Sequence, residues 1–233
     1  MARNTIEDYA KAILQISLES DSASATTGAL ARWLGVTDGT ASKMMRNLSD
    51  AGLVVLTAYK GAQLTEKGHL LAVRVLRAHR LMELFLARVL KMDWDEIHEE
   101  AELLEHAVSD RLIRRIDEFL GHPQNDPHGD PIPRSDGTLP TASGVSLAGC
   151  DAGSKFVVRR VIDQSSKSLR FLSSVGFELD RRGRVTANSP LAGTVSIELD
   201  GKVMSLSLAM AAKILVSVER GAAAGRHDAA QGG

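Results

Sequence analysis

The stretch ALARWLGVTDGTASKMMRNLSDAGLV, residues 29–54, holds two short helical patterns joined at a single glycine. Thr26 or Thr27 can cap the first, which carries Leu30, Ala31 and Leu34 on its apolar side. Gly35 ends it, because glycine enters the left-handed region at little cost. Thr37 or Asp38 can cap the second, whose apolar residues are Ala41, Met44, Met45 and Leu48. Small residues at 31, 35 and 41 let the two helices cross closely. Gly52 stops the second helix, Leu53 to Leu56 is a β-like run, Tyr59-Lys60-Gly61 is a turn, and Ala62 to Leu64 returns as a strand. The pattern predicts a helix-turn-helix followed by a β-hairpin wing.

Such a pair of helices can seat the second in a major groove. Its outward face carries Thr37, Thr40, Ser42, Lys43 and Arg46: short hydroxyls for base edges and cations for phosphates. Lys60 lies at the wing tip, within reach of a phosphate or the minor groove. The competing reading is a three-helix core with polar residues facing water, and the wing that follows at once favours the first. The formal net charge is −1, so nucleic-acid binding has to come from a local basic surface. Aromatic residues are 4%, too few for single-strand stacking platforms.

Outward from this core, residues 5–19 read as an amphipathic helix with Ile6, Tyr9, Ala10, Ile13, Leu14 and Ile16, and SDSASATT reads as a loop. Helical spacing runs from Thr65 to Leu90, then from about Asp95 to Val108, then from Ser109 to Leu120. Residues 122–144 hold all but one of the six prolines and read as a linker. From Val145 the period shortens to strands, with a helix near Leu169 to Val175, which predicts a five-stranded barrel-like domain. The expected fold is a mainly α N-terminal half and a small all-β SH3-like barrel. Its divisions are a winged helix-turn-helix domain over 1–68, a helical metal-binding and dimerisation domain over 69–121, a linker over 122–144, an SH3-like domain over 145–219 and a disordered tail over 220–233. No apolar run reaches the ~18 residues that cross a bilayer. The N-terminus lacks a signal-like apolar region, and one cysteine excludes an internal disulfide, so the expected compartment is the cytoplasm.

A second signal lies in the segment His98-Glu-Glu-Ala-Glu102-Leu-Leu-Glu105-His106. His98, Glu102, Glu105 and His106 are spaced i, i+4, i+7 and i+8, one stripe of a helix, with Leu103 and Leu104 offering a core face beside them. His79 and Glu83 share a stripe of the preceding helix, and Asp8 on the first helix can complete a shell. Glutamates at such spacing are also common on solvated faces. His106, however, borders the apolar face and is expensive to bury unless paired or coordinated.

Taken together, IEDYAKAIL, the helix-turn-helix, LTEKG, RAHRLMELFL, HEEAELLEHAVSD and HGDPIP resemble the metal-dependent repressors of the diphtheria toxin repressor family, including its manganese transport regulator branch. The resemblance covers residues 5–133, and SLAGCDAGSKFVVRRV through SLAMAAKILV resembles the SH3-like ferrous-transport-A domain of that family. It implies a primary metal site at Asp8, Glu102, Glu105 and His106 and an ancillary site at His79, Glu83 and His98. The iron-responsive branch has Met and Cys where Asp8 and Glu102 stand. Hard carboxylates suit Mn²⁺, the weakest binder of the divalent series, so Mn²⁺ is the expected metal and Fe²⁺ the alternative. The manganese branch has Glu where Lys11 stands, and an ammonium cannot ligate, so its two-metal cluster is not expected here. Gln164 and Lys167 align with SH3-domain ligands of the iron branch, and Lys167 cannot serve. Cys150 reads as a small core residue.

The resemblance implies a dimeric transcriptional repressor of metal homeostasis genes that binds double-stranded operator DNA when loaded with a divalent cation. Metal would tie the first helix to the dimerisation helices and so set two recognition helices about 34 Å apart, or a multiple. Leu81, Leu84, Phe85, Leu112, Ile113 and Ile116 are candidates for the dimer core, and intramolecular packing explains them equally. A metal-independent winged-helix regulator is the nearer rival. A metal hydrolase needs an open coordination position and a general base, and no HExxH pair is present, so neither an enzyme nor a small organic substrate is expected. Peptide binding by the C-terminal domain needs clustered aromatics, and Phe156, Phe171 and Phe177 are too few.

Overall fold

In a computed structural model of the chain, residues 3–20, 22–141 and 144–219 are described. The expected tail, 220–233, lies outside them. The chain divides into two compact units, Met1–Thr141 and Ala142–Gly233.

The first unit is built on α1 (Arg3–Glu19), α2 (Thr27–Leu34), α3 (Asp38–Asp50), β1 (Val54–Thr57), β2 (Gly61–Leu64), α4 (Glu66–Phe85), α5 (Ile97–Leu104) and α6 (Asp110–Phe119). Thr26 caps α2 by accepting from the Ala29 amide, and Gly35 closes it at φ 64°. Thr37 caps α3 through the Thr40 amide. These caps satisfy amides that a helix start leaves without partners, so the sequence signals translate directly into boundaries. β1 and β2 pair antiparallel from Val54↔Leu64 to Thr57↔Gly61, and the Ala25↔Ala62 bridge ties the wing to the α1–α2 loop.

Tyr9, Ile13 and Ile16 of α1 pack with Leu30, Met44, Met45, Leu48 and Leu53 in one buried core. Ala10 and Leu14 of the same helix pack on Ala72, Val73 and Leu76 of α4. One helix is thereby shared between the helix-turn-helix core and the rest of the unit. A third core joins Leu81, Leu84, Ile97, Ala101, Ile113, Ile116 and Ile132. Leu81, Leu84, Ile113 and Ile116 are therefore core residues of the protomer rather than a free dimer face. Leu112 and Leu103 are exposed.

Two expectations change in this first unit. The helix expected to reach Val108 stops at Leu104, and residues 105–107 form turns. Its core face is Ile97 and Ala101, while Leu103 is 72% exposed, so Leu103 does not flank a buried stripe. The segment read as a linker is also not free over its first half. Pro131 and Pro133 carbonyls accept from Arg80 and Arg77 of α4, Asn125 bridges to Pro131, and Ile132 enters the third core. Prolines here rigidify a strap rather than extend a spacer.

The second unit orders its strands β3 (Val145–Ser146), β8 (Ile214–Glu219), β4 (Lys155–Val161), β5 (Arg182–Ser189), β6 (Thr194–Leu199) and β7 (Lys202–Ser207), with α7 (Ser166–Ser174) and α8 (Leu208–Ala211). All pairings are antiparallel. The sheet has six strands rather than five, and β3 and β7 end it without pairing to each other, so it is SH3-like without closing as a barrel. Register shifts at Val158/Arg160 and Val185/Ala187 bend it. Phe156, Phe177, Leu169 and Ile197 fill its core, and Cys150 is buried with them. Gln164 and Lys167 belong to this unit, at the start of α7.

Candidate metal centre and nucleic-acid face

The end of α5 decides the geometry. Because the helix stops at Leu104, Glu105 and His106 leave the stripe of His98 and Glu102 and turn toward α1. The seven imidazoles and carboxylates of the expected sites consequently separate, six of them falling into two neighbouring groups.

In the first group, ligand atoms of Asp8, Glu105 and His106 lie within 4.8 Å of one another. His106 Nε2 is 2.7 Å from Asp8 Oδ1 and 3.3 Å from Glu105 Oε1. His106 Nδ1 donates to buried Glu7 Oε2 at 2.7 Å. A carboxylate only accepts, so Nδ1 donates to Glu7, the contact that orients ligating histidines in metal centres, and Nε2, beside Asp8, is the nitrogen that could ligate once it carries no proton. Burial raises the Asp8 carboxyl pKa, partly offset by His106. Glu102 is not in this group. Its side chain is half exposed, 3.5 Å from Lys11 Nζ and 3.7 Å from His98 Nε2.

In the second group, ligand atoms of His79, Glu83 and His98 lie within 4.8 Å of one another. His98 Nδ1 donates to Glu83 Oε1 at 3.0 Å, and the His79 and His98 rings meet edge to face at 4.9 Å. His79 Nδ1 donates to Glu105 Oε2 at 2.6 Å, and its Nε2 is 3.0 Å from Glu83 Oε1. With carboxylates on both ring nitrogens, burial works against the imidazolium but Glu83 and Glu105 prevail, and the His79 pKa is raised to about 9. Burial likewise opposes the Glu83 charge, yet His79, His128 and His98 hold Glu83 well below the usual carboxylate range.

A third group, Glu83, Asp126 and His128, is wholly buried. Composition misled here, since Asp126 and His128 sit in the presumed linker; only the HGDPIP run marked the place. Asp126 Oδ1 accepts from the amides of His128 and Asp130, and Arg80 is 3.7 Å from its other oxygen. Burial, then the charges of Asp130 and Glu83, push the Asp126 carboxyl up to about 7. His128 Nε2 donates to the Trp94 carbonyl at 3.2 Å. Its Nδ1 has no hydrogen-bond partner and lies 3.7 Å from Glu83 Oε2. Burial opposes the charged form of this imidazole, but Glu83 and Asp126 favour it, so its pKa is raised and Nδ1 has to give up a proton before it can ligate. The other residue that sequence reasoning missed is Glu7, whose only signal was its place beside Asp8.

On the nucleic-acid face, Thr37, Thr40, Lys43 and Arg46 are exposed on α3, and Ser42 is half buried. The Thr37 and Thr40 hydroxyls are 3.0 Å apart, so the cap and the outward face share one hydroxyl pair. Lys60 is exposed at the wing tip beside fully exposed Tyr59. Among the described residues no helix is long and apolar enough to cross a membrane.

Comparison with known proteins matches residues 1–62 to the iron-dependent repressor N-terminal DNA-binding domain and 65–134 to the iron-dependent repressor metal-binding and dimerisation domain. Residues 145–218 match the FeoA domain. The iron-dependent repressor IdeR of Mycobacterium tuberculosis is 34% identical over 130 residues, 56% of each chain, so the chain aligns with little more than half of that relative. A solved manganese-dependent transcriptional repressor in complex with manganese is 41% identical at a TM-score of 0.81, covering 92% of this chain and all of that one. The manganese regulator SloR is 32% identical at a TM-score of 0.76, covering 92% and 98%.

Proposed function

We infer, because the chain belongs to the iron-dependent repressor family, that it is a divalent-metal-dependent transcriptional repressor that binds operator DNA as a homodimer in the cytoplasm. One observation carries the reading. Glu7, Asp8 and Lys11, all on the helix shared with the DNA-reading core, meet Glu105 and His106 at the end of α5. A group that draws Asp8, Glu105 and His106 together therefore acts on the helix that carries the recognition core.

The donors fit a hard divalent cation: carboxylate oxygens and imidazole nitrogens, with no sulfur among the grouped residues. Asp8, Glu105 and His106 would hold the primary ion, with Glu102 as the further ligand its exposed side chain can bring. His79, Glu83 and His98 would hold an ancillary ion, and Glu83, shared with the buried group of Asp126 and His128, makes that group an extension of the site. The ion supplies charge that neutralises the carboxylates facing one another. A donor set without sulfur discriminates less against Mn²⁺, so manganese is the proposed metal and Fe²⁺ the alternative, and the manganese-bound relative supports that choice. Thr37, Thr40, Ser42, Lys43, Arg46 and Lys60 would face the duplex. The apolar side chains that α5 and α6 leave in solvent, Leu103, Leu112 and Phe119, are the surface offered to the second protomer. The role is regulatory, not enzymatic.

The direct test selects genomic fragments with the purified protein in Mn²⁺, then titrates them anaerobically with Mn²⁺, Fe²⁺ and Zn²⁺ against a chelated control. Binding that survives chelation overturns the metal dependence. On a selected fragment, Lys43→Ala weakens binding and lowers the slope of log affinity against log salt by about one. An unaltered slope removes Lys43 from the interface.

Protonation gives a further expected result. His79 has to release its Nε2 proton before that nitrogen can ligate. Its folded pKa, about 9, stands above the ordinary 6.5, so the imidazolium stabilises the metal-free fold below pH 6.5 and that contribution fades as pH rises through about 9. Metal binding at pH 7 then expels close to one proton per ancillary site, and affinity climbs between pH 6 and 9. Calorimetry in buffers of different ionisation heat reads the proton directly; a buffer-independent enthalpy means that His79 enters neutral.

A further inference from the structure

Lys11 cannot ligate a cation, yet its side chain is buried among the ligands, with the residue 6% exposed. Its Nζ lies 2.6 Å from Glu105 Oε1 and 3.5 Å from Glu102 Oε1. The Glu105 oxygen it holds is the one that faces His106 Nε2 at 3.3 Å, while the other Glu105 oxygen is taken by His79 at 2.6 Å. Both oxygens of this wholly buried carboxylate are thus engaged by cationic groups of the chain itself. Lys11 also draws Glu102 toward itself, and Glu102 is the expected primary ligand that stands outside the group of Asp8, Glu105 and His106.

Resting on the repressor reading above, we propose that Lys11 is an internal competitor for the primary metal site, occupying the Glu105 oxygen that faces His106 and restraining Glu102, so that it sets the metal concentration at which the chain responds. In the metal-free protein its ammonium neutralises carboxylates that would otherwise repel at close range. An entering divalent cation has to share or take that Glu105 oxygen, and meets a like charge while doing so. In a partly buried site the repulsion between an ammonium and a divalent ion is poorly screened. Swinging the flexible lysine stem outward relieves it. The lysine therefore lowers affinity without occupying a coordination position, and keeps the metal-free centre folded.

The test uses the full chain with Lys11→Gln, and Lys11→Met as a second variant of similar volume. Mn²⁺ affinity is measured by competition with a fluorescent chelator, and thermal unfolding is followed in chelator. Either substitution is expected to tighten primary-site Mn²⁺ binding at least tenfold and to lower the melting temperature of the metal-free protein, whereas Lys11→Arg keeps affinity near that of the parent. A folded Lys11→Gln or Lys11→Met protein whose Mn²⁺ affinity is unchanged or weaker overturns the proposal. His106→Ala separates this from the site assignment. If it abolishes tight binding while Lys11→Gln fails to strengthen it, only the competitor role falls; if His106→Ala changes nothing, the primary site itself is wrong.

Discussion

His106→Ala is expected to abolish metal-stimulated operator binding and to weaken Mn²⁺ binding at the primary centre by about two orders of magnitude or more. Even partners one step removed from a metal commonly account for ten- to a hundredfold in affinity, and His106 is proposed as a ligand itself. It is the only nitrogen donor beside Asp8 and Glu105 in that group, and Glu7 orients it. Its removal also leaves Glu7 and Asp8 without their shared partner, so the two helices lose the contact that connects metal to the recognition core. Anisotropy of a labelled operator, titrated with Mn²⁺, reads the first effect. The far-UV spectrum and the unfolding profile in chelator establish that the fold persists. Metal-dependent binding of normal affinity in a folded His106→Ala protein removes α1–His106 contact from the switch.

Gly68→Ala is expected to cost about 3 kcal/mol of stability, a large effect for adding one methyl group. A Cβ built at Gly68 falls 1.9 Å from the Leu53 carbonyl oxygen, which is backbone and cannot rotate away. The same carbonyl accepts from the Thr65 amide at 2.9 Å, and the Thr65 hydroxyl donates to the Gly52 carbonyl at 2.8 Å while capping α4 through the Gly68 amide. The start of α4 is thereby stapled to the strand that leaves the recognition helix, and an extra methyl has to pry the two apart. Urea unfolding measures the loss. A Gly68→Ala protein within about 0.5 kcal/mol of the parent would mean that the junction is loose and that the wing moves independently of α4.

These two positions differ in how well the chain announced them. LTEKG was legible only as part of a resemblance; nothing in local propensity says that Gly68 faces a carbonyl from 15 positions earlier. His106 was legible from residue type, as an imidazole beside an apolar face. Its partner was not. Glu7 sits on the face of α1 that meets α5, but a glutamate near a helix start is ordinary, and no periodicity distinguishes it. The ligand stripe over 98–106 was read as one helical face because i, i+4 and i+8 residues align only while the helix continues. It ends at Leu104, and the two halves of the stripe face different neighbours.

What the residues determined by themselves is local: a cap at Thr26 or Thr27 and another at Thr37 or Asp38, the stop at Gly35, the run of short strands after Val145, and the donor chemistry of oxygen and nitrogen without sulfur. Such features depend on a few neighbouring positions and on backbone hydrogen bonds, so a linear reading recovers them. What tertiary structure decided is which charges meet. Lys11 reaches Glu105 across 94 positions, His106 reaches Glu7 across 99, and the proline-rich strap lays Asp126 and His128 against Glu83. Those meetings follow from how α1, α4 and α5 pack, and packing selects among many surfaces that look equally polar along the chain.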